Sequence, residues 1–137
     1  MTTTKPVREG FHTATAYMIV HDAAAAIEFY KKAFGATELQ RLPAPNDTRL
    51  MHAEIQIGDA PMMLADEYPE IGARSPRAFG GSPVSFMLYV EDADAWVDRA
   101  VSAGAKLVRP VQDQHYGRVG GVEDPFGYTW YICSQPR

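Results

Sequence analysis

Val122–Cys133 reads V-E-D-P-F-G-Y-T-W-Y-I-C, and the rest of the chain can be arranged around it. Asp124-Pro125-Phe126-Gly127 has the chemistry of a tight turn. Aspartate bonds the backbone just beyond it, proline presets φ, and glycine accepts a positive φ. The aromatic and β-branched run from Tyr128 to Cys133 then predicts a strand launched from that turn. Its alternation places Thr129, Tyr131 and Cys133 on one face and Tyr128, Trp130 and Ile132 on the other. One face is expected to pack the core and the other to line a cavity, which makes this last strand central to its sheet.

Upstream, the same kind of reading yields a series of short elements. Thr13 to Val20 predicts a strand stopped by Asp22, which caps a helix over Ala23 to Phe34. Ile27, Tyr30 and Phe34 form the apolar stripe of that helix, and Gly35 stands at its C-terminal cap. Thr37 to Leu42 is a short strand, broken by Pro43-Ala44-Pro45-Asn46-Asp47. Leu50 to Ile57 alternates cleanly: Met51, Ala53, Ile55 and Ile57 are expected to face helices, and His52, Glu54 and Gln56 the opposite side. Gly58-Asp59 turns the chain into a strand over Pro61 to Ala65. After a Gly- and Pro-rich connector come a strand over Val84 to Val90, a helix over Ala93 to Ala103 capped by Asp92 and closed by Gly104, and strands over Lys106 to Val111 and Arg118 to Val122. Trp96, Val97, Ala100 and Val101 form the apolar face of the second helix. Gln112 to Gly117 reads as a loop.

The second half repeats the first. Ile19-Val20-His21-Asp22-Ala23 answers Tyr89-Val90-Glu91-Asp92-Ala93, Gly35-Ala36 answers Gly104-Ala105, and Gly58-Asp59 answers Glu123-Asp124. The division is a flexible N-terminal tail at 1–10, a first βαβββ module at 11–66, a connector at 67–83 that could also serve as a lid, and a second βαβββ module at 84–137. Together they make one structural domain. The fold class is α+β, two tandem modules forming a cupped mixed sheet with helices on the outer face.

The chain has 137 residues, 46% of them hydrophobic, enough for a core without covalent staples. Its single cysteine, Cys133, excludes an intramolecular disulfide, and its place in an apolar strand predicts a buried, inert thiol. No apolar run approaches the roughly 20 residues of a membrane span, and 1–10 lacks a signal-peptide core, so a cytoplasmic protein is expected. A net charge of −4 with no Lys/Arg cluster argues against nucleic acid and suits a neutral or cationic small ligand.

The paired βαβββ modules, the capped helices and the closing E-D-P-F-G-Y turn resemble the vicinal oxygen chelate superfamily of glyoxalase I, extradiol dioxygenases and bleomycin resistance proteins. D-A-A-A-A-I-E-F-Y-K-K-A-F-G-A, M-H-A-E-I-Q-I-G-D-A and Y-G-R-V-G-G-V-E-D-P-F-G-Y-T-W are similar to its PhnB-like branch. The resemblance implies a homodimer and a cup whose concave face carries His or Glu ligands in the metal enzymes. Laid on this chain, the glyoxalase pattern puts those positions at Thr15, Leu64, Ser85 and Tyr131, none of which ordinarily binds a divalent metal. No metal and no cofactor are therefore expected. The same registration lines the cup with Thr15, Tyr17, Leu64, Ser85, Met87, Tyr89, Thr129 and Tyr131. That lining suits an aromatic or amphipathic organic molecule, such as the cationic antibiotic implied by the bleomycin resistance relatives.

His52 and Glu54 share one strand face, where they are candidates for catalysis as an acid–base pair, for ligand binding, or for mutual hydrogen bonding. Joined by His12 or His115, they would make a displaced metal site serving a lyase, isomerase or dioxygenase. In the loop before a strand, Tyr116 is placed to stack on a ligand and Arg118 to pair with its carboxylate or phosphate. Gly80-Gly81 and Gly120-Gly121 lack the lysine and spacing of a phosphate loop and read as hinge or bulge glycines.

Overall fold

The computed structural model describes residues 5–136. In chain order it contains β1 (Tyr17–Val20), α1 (Ala23–Phe34), β2 (Thr37–Pro43), β3 (Leu50–Ile57), β4 (Ala60–Asp66), β5 (Ser85–Tyr89), α2 (Ala93–Ala103), β6 (Lys106–Gln114), β7 (Gly117–Glu123) and β8 (Thr129–Ser134). The connector carries two short 3-10 turns, Pro69–Ile71 and Pro76–Phe79. The strands form two four-stranded sheets of identical plan, β1-β4-β3-β2 and β5-β8-β7-β6. In each, the first strand pairs parallel with the fourth and the remaining pairs are antiparallel. The repeat seen in the sequence is thus a repeat of structure, two βαβββ modules, with two half-cups in place of one continuous sheet.

Both helices begin and end where their caps predict. Asp22 accepts from the amide of Ala25 at 3.1 Å and Asp92 from that of Ala95 at 3.1 Å. Gly35 takes the left-handed conformation, φ 68°, that a side chain would resist. Ile27, Tyr30 and Phe34 are buried as expected, with Phe29 beside them. On α2, Val97 and Ala100 are buried, but Val101 is 41% exposed and does not belong to the packed face.

The helices join the modules by packing on each other. Phe34 of α1 stacks on Trp96 of α2, with ring planes 15° apart, and meets Trp130 of β8 at 4.9 Å between centroids. The Arg99 guanidinium donates to the carbonyls of Lys32 (2.6 Å) and Lys31 (3.3 Å), satisfying the C-terminal end of α1 from α2. Tyr128 donates its hydroxyl to the Ile19 carbonyl at 2.9 Å, tying β1 to the turn that leads into β8.

Alternation holds on β8, where Trp130 and Ile132 are fully buried on the helix side. It fails at one residue of β3. Leu42 pairs with His52 but Pro43 with Leu50, which leaves Met51 as an extra, unpaired residue in a bulge. Met51 is 47% exposed instead of facing the helices, and Leu50 takes the buried place, its amide donating to Asp66 at 2.6 Å. Arg118 also departs from expectation. On β7 it lies on the helix side, where its guanidinium binds Asp94 at 2.7 and 3.2 Å and Asp113 at 3.3 Å, and so is held by the protein's own carboxylates.

Candidate functional site

The first half-cup brings together Tyr17, His52 and Glu54. Tyr17 and Glu54 stand opposite the same residue, Met63 of β4, on either side of it, so all three share the open face of the sheet. Tyr17 Oη lies 2.7 Å from His52 Nδ1, and His52 Nε2 lies 2.8 Å from Glu54 Oε2. Arg8 completes the row: Nη1 donates to Glu54 Oε2 at 2.8 Å and Nη2 to Oε1 at 3.1 Å, a two-point grip on the carboxylate. Arg8 in turn sits over the Phe11 ring, 4.2 Å from its centroid. Nothing in the sequence marks Arg8, which lies in a polar stretch without periodicity. It is reached only because the chain folds back over β3.

The electrostatics follow from that grip. The Glu54 side chain is only 3% exposed, yet the Arg8 hydrogen bonds, aided by His52, outweigh burial and hold its carboxyl down at about 2. Burial, with the Glu54 charge nearby, raises the Tyr17 phenol, and the bond to Glu54 raises the Arg8 guanidinium. His52 and Glu54 therefore engage each other, as one of the three sequence readings has it, and do so as the middle of a longer chain.

The second half-cup carries Ser85, Met87 and Tyr89 of β5 beside Thr129 and Tyr131 of β8. The register pairs Ser85 with Thr129, Met87 with Tyr131, and Tyr89 with Cys133. Tyr89 is 82% exposed and Met87 42%, an unusual apolar display for a sheet face. Gly121 stands opposite Tyr131, and an added Cβ there would meet the ring at 3.1 Å, so this glycine makes room for the tyrosine. Thr15 borders a pocket of about 250 Å³ with His12, Pro61 and Met87. A larger cleft, about 620 Å³, opens between the β3–β4 turn and Met87, Tyr89 and Trp96. Cys133 is buried as a free thiol.

Other expected site residues fall elsewhere. Leu64 is fully buried opposite Met18 on the helix side; Met63, one residue earlier, faces the cup in its place. The shift by one matters because neighbouring residues of a strand point to opposite faces. Tyr116 lies in the β6–β7 turn against His115 and borders a pocket of about 300 Å³ with Tyr89 and Ser134, at the rim of the second half-cup. Arg118 lies on the other side of that sheet.

The metal of the vicinal oxygen chelate enzymes can be tested against these donors. Thr15, Ser85 and Tyr131 offer hydroxyls and Met63 a thioether, a set that does not fit a divalent cation expecting imidazole and carboxylate. The polar atoms of His52 and Glu54 are engaged with each other, with Tyr17 and with Arg8. Among the described residues no three of His, Cys, Asp and Glu gather as a ligand group. His12 and His115 do not complete one.

Comparison with known proteins agrees with the architecture. The model of the glyoxalase/bleomycin resistance protein/dioxygenase superfamily matches residues 11–132. A protein of Mycobacterium tuberculosis is 47% identical over 125 residues, covering 88% of this chain and 73% of its own. The crystal structure of an Arabidopsis thaliana protein superposes with TM-score 0.70 at 28% identity, over 90% of this chain and 98% of that one. The PhnB protein of Bacillus cereus superposes with TM-score 0.69 at 14% identity, over 90% and 99% of the two chains, a likeness of fold alone.

Proposed function

Because the chain belongs to the glyoxalase/bleomycin resistance protein/dioxygenase superfamily, we propose that it is a small-molecule binding protein of that group which holds an aromatic or cationic organic compound without a metal. A bleomycin-type antibiotic is the kind of ligand this reading names, and sequestration of it would confer resistance. The observation that carries the reading is the second half-cup, where Met87, Tyr89 and Tyr131 offer apolar and ring surface interspersed with the hydroxyls of Ser85 and Thr129. Rings of this kind accept planar ligands by stacking and cations over their faces. The net charge of −4 adds a weak attraction for a cation.

The same reading makes the protein a homodimer. Each half-cup is open, and a second copy facing it would enclose the ligand as a closed cup does. A cytoplasmic location accords with a lone buried thiol, and no helix among the described residues is long and apolar enough to cross a membrane.

Melting curves test the proposal. A ligand present at about a hundredfold its Kd stabilises the native state by about 2.7 kcal/mol, equivalent to a shift of roughly 5 °C or more. The expected result is such a shift with bleomycin or another cationic aromatic compound, diminished in Tyr131→Ala, and none with nickel, zinc, manganese or iron. Stoichiometric metal that stabilises the protein and is lost in His52→Ala would replace this reading with a metal-dependent lyase, isomerase or dioxygenase.

A further inference from the structure

The row Arg8, Glu54, His52, Tyr17 has a direction. Glu54, gripped by a guanidinium and ionised, only accepts hydrogen bonds, so the proton between it and His52 belongs to Nε2. In the neutral imidazole Nδ1 then bears the lone pair, and the Tyr17 hydroxyl is the donor across their 2.7 Å contact. The hydrogen bonds themselves assign this tautomer. The row begins at a buried carboxylate and ends at a phenol that is 48% exposed on the open face of the sheet. A base oriented by a carboxylate and aimed at a hydroxyl is the arrangement that activates nucleophiles in hydrolases of unrelated fold.

We infer that Tyr17 is a nucleophilic tyrosine, whose proton His52 accepts as the phenol oxygen attacks an electrophile carrying an activated acyl or sulfonyl group. As the bond from Oη to the acyl carbon or sulfonyl sulfur forms, the phenolic proton passes to Nδ1 and the leaving group departs with its electron pair. His52 is left as an imidazolium between the new ester and Glu54, whose charge stabilises it, and returns its proton to water. Glu54 and Arg8 are positioning residues in this scheme. This activity does not depend on the binding reading, since it needs no ligand in the second half-cup.

The chain supplies its own controls. In the single chain Tyr89 and Tyr116, 82% and 53% exposed, are more accessible than Tyr17, and among the described residues no histidine is hydrogen-bonded to either hydroxyl; His115 meets Tyr116 only ring to ring. On exposure alone they should react first, and burial, which raises the Tyr17 phenol, pushes in the same direction. The whole protein is treated with benzenesulfonyl fluoride, from which fluoride leaves, and the modified tyrosines are quantified by peptide mass spectrometry. Tyr17 is expected to label at least tenfold faster than Tyr89 or Tyr116. In His52→Ala its rate should fall to theirs and recover when imidazole is added to the buffer, a rescue that a purely structural histidine does not permit. Labelling of Tyr17 no faster than of the two controls in the unaltered protein overturns the inference without recourse to any variant. So does a Tyr17 rate that His52→Ala leaves unchanged, with a cooperative melting transition showing that the variant is folded.

Discussion

Asp124 takes four hydrogen bonds on one buried carboxyl group. Oδ1 accepts from the amides of Phe126 (2.9 Å) and Tyr128 (3.0 Å), closing the turn, while Oδ2 accepts from Tyr30 Oη (2.5 Å) and Trp130 Nε1 (2.8 Å). The first pair is a turn motif visible in the sequence; of the second pair, the Tyr30 bond joins the modules across 94 positions and is not. Tyr30→Phe removes one donor from a buried acceptor and is expected to cost about 1–3 kcal/mol, read as a lower denaturation midpoint at unchanged slope. An unaltered midpoint would show that Asp124 does not need the module contact. Burial raises this carboxyl above its usual range, against the pull of its four donors, so its share of stability is greatest in acid and declines as pH rises through the folded value. Glu54 behaves oppositely. Folded, it stays ionised down to about pH 2, whereas the unfolded chain protonates it near 4.5. Between those values the unfolded state binds more protons, and stability falls as pH falls. Melting temperatures from pH 5 to pH 2 should therefore drop less steeply in Glu54→Gln than in the parent; parallel curves would show that the Arg8 grip adds nothing.

Among the elements, the helices were legible to the residue because caps are local chemistry: Asp22, Gly35, Asp92 and Gly104 act on amides and carbonyls within a turn of themselves. The edge strand β6 was read too short. It runs to Gln114, past the expected end at Val111, because Gln112-Asp113-Gln114 sits at the sheet edge with solvent on both faces and shows no hydrophobic alternation. The supposed loop shrinks to a turn at His115-Tyr116. Gly120-Gly121 shows a related limit. The register does shift opposite them, between Arg109 and Gln112, so the bulge reading has substance, but neither glycine has a positive φ. They are needed for close approach: a Cβ on Gly120 would lie 2.7 Å from Val111 Cγ2 and 3.2 Å from Val97 Cγ2 of α2. These stiff β-branched side chains cannot swing aside, so Gly120→Ala is expected to destabilise by about 1–3 kcal/mol. A chemical melt equal to the parent's would mean that α2 yields freely.

At the scale of the molecule, two half-cups back onto a shared helical core and leave Tyr17, Met87 and Tyr89 in the open. If a second copy closes them, as proposed, light scattering gives twice the chain mass, and charge placed on the exposed sheet by Tyr89→Glu shifts it toward one; a parent protein already at 15.1 kDa would overturn the dimer. The sequence by itself determined the modules, their caps, the alternation of β8 and the chemistry of the residues on its two faces, because those depend on backbone periodicity and on groups a few positions apart. Only the tertiary structure decided that Arg8 meets Glu54 across 46 positions, that Tyr17 reaches His52, that Met63 and not Leu64 faces the cup, and that Arg118 is taken by Asp94 and Asp113. Those outcomes rest on strand register and on the folding back of an unpatterned segment. A one-residue shift in register exchanges the faces of a strand, and no local propensity records it.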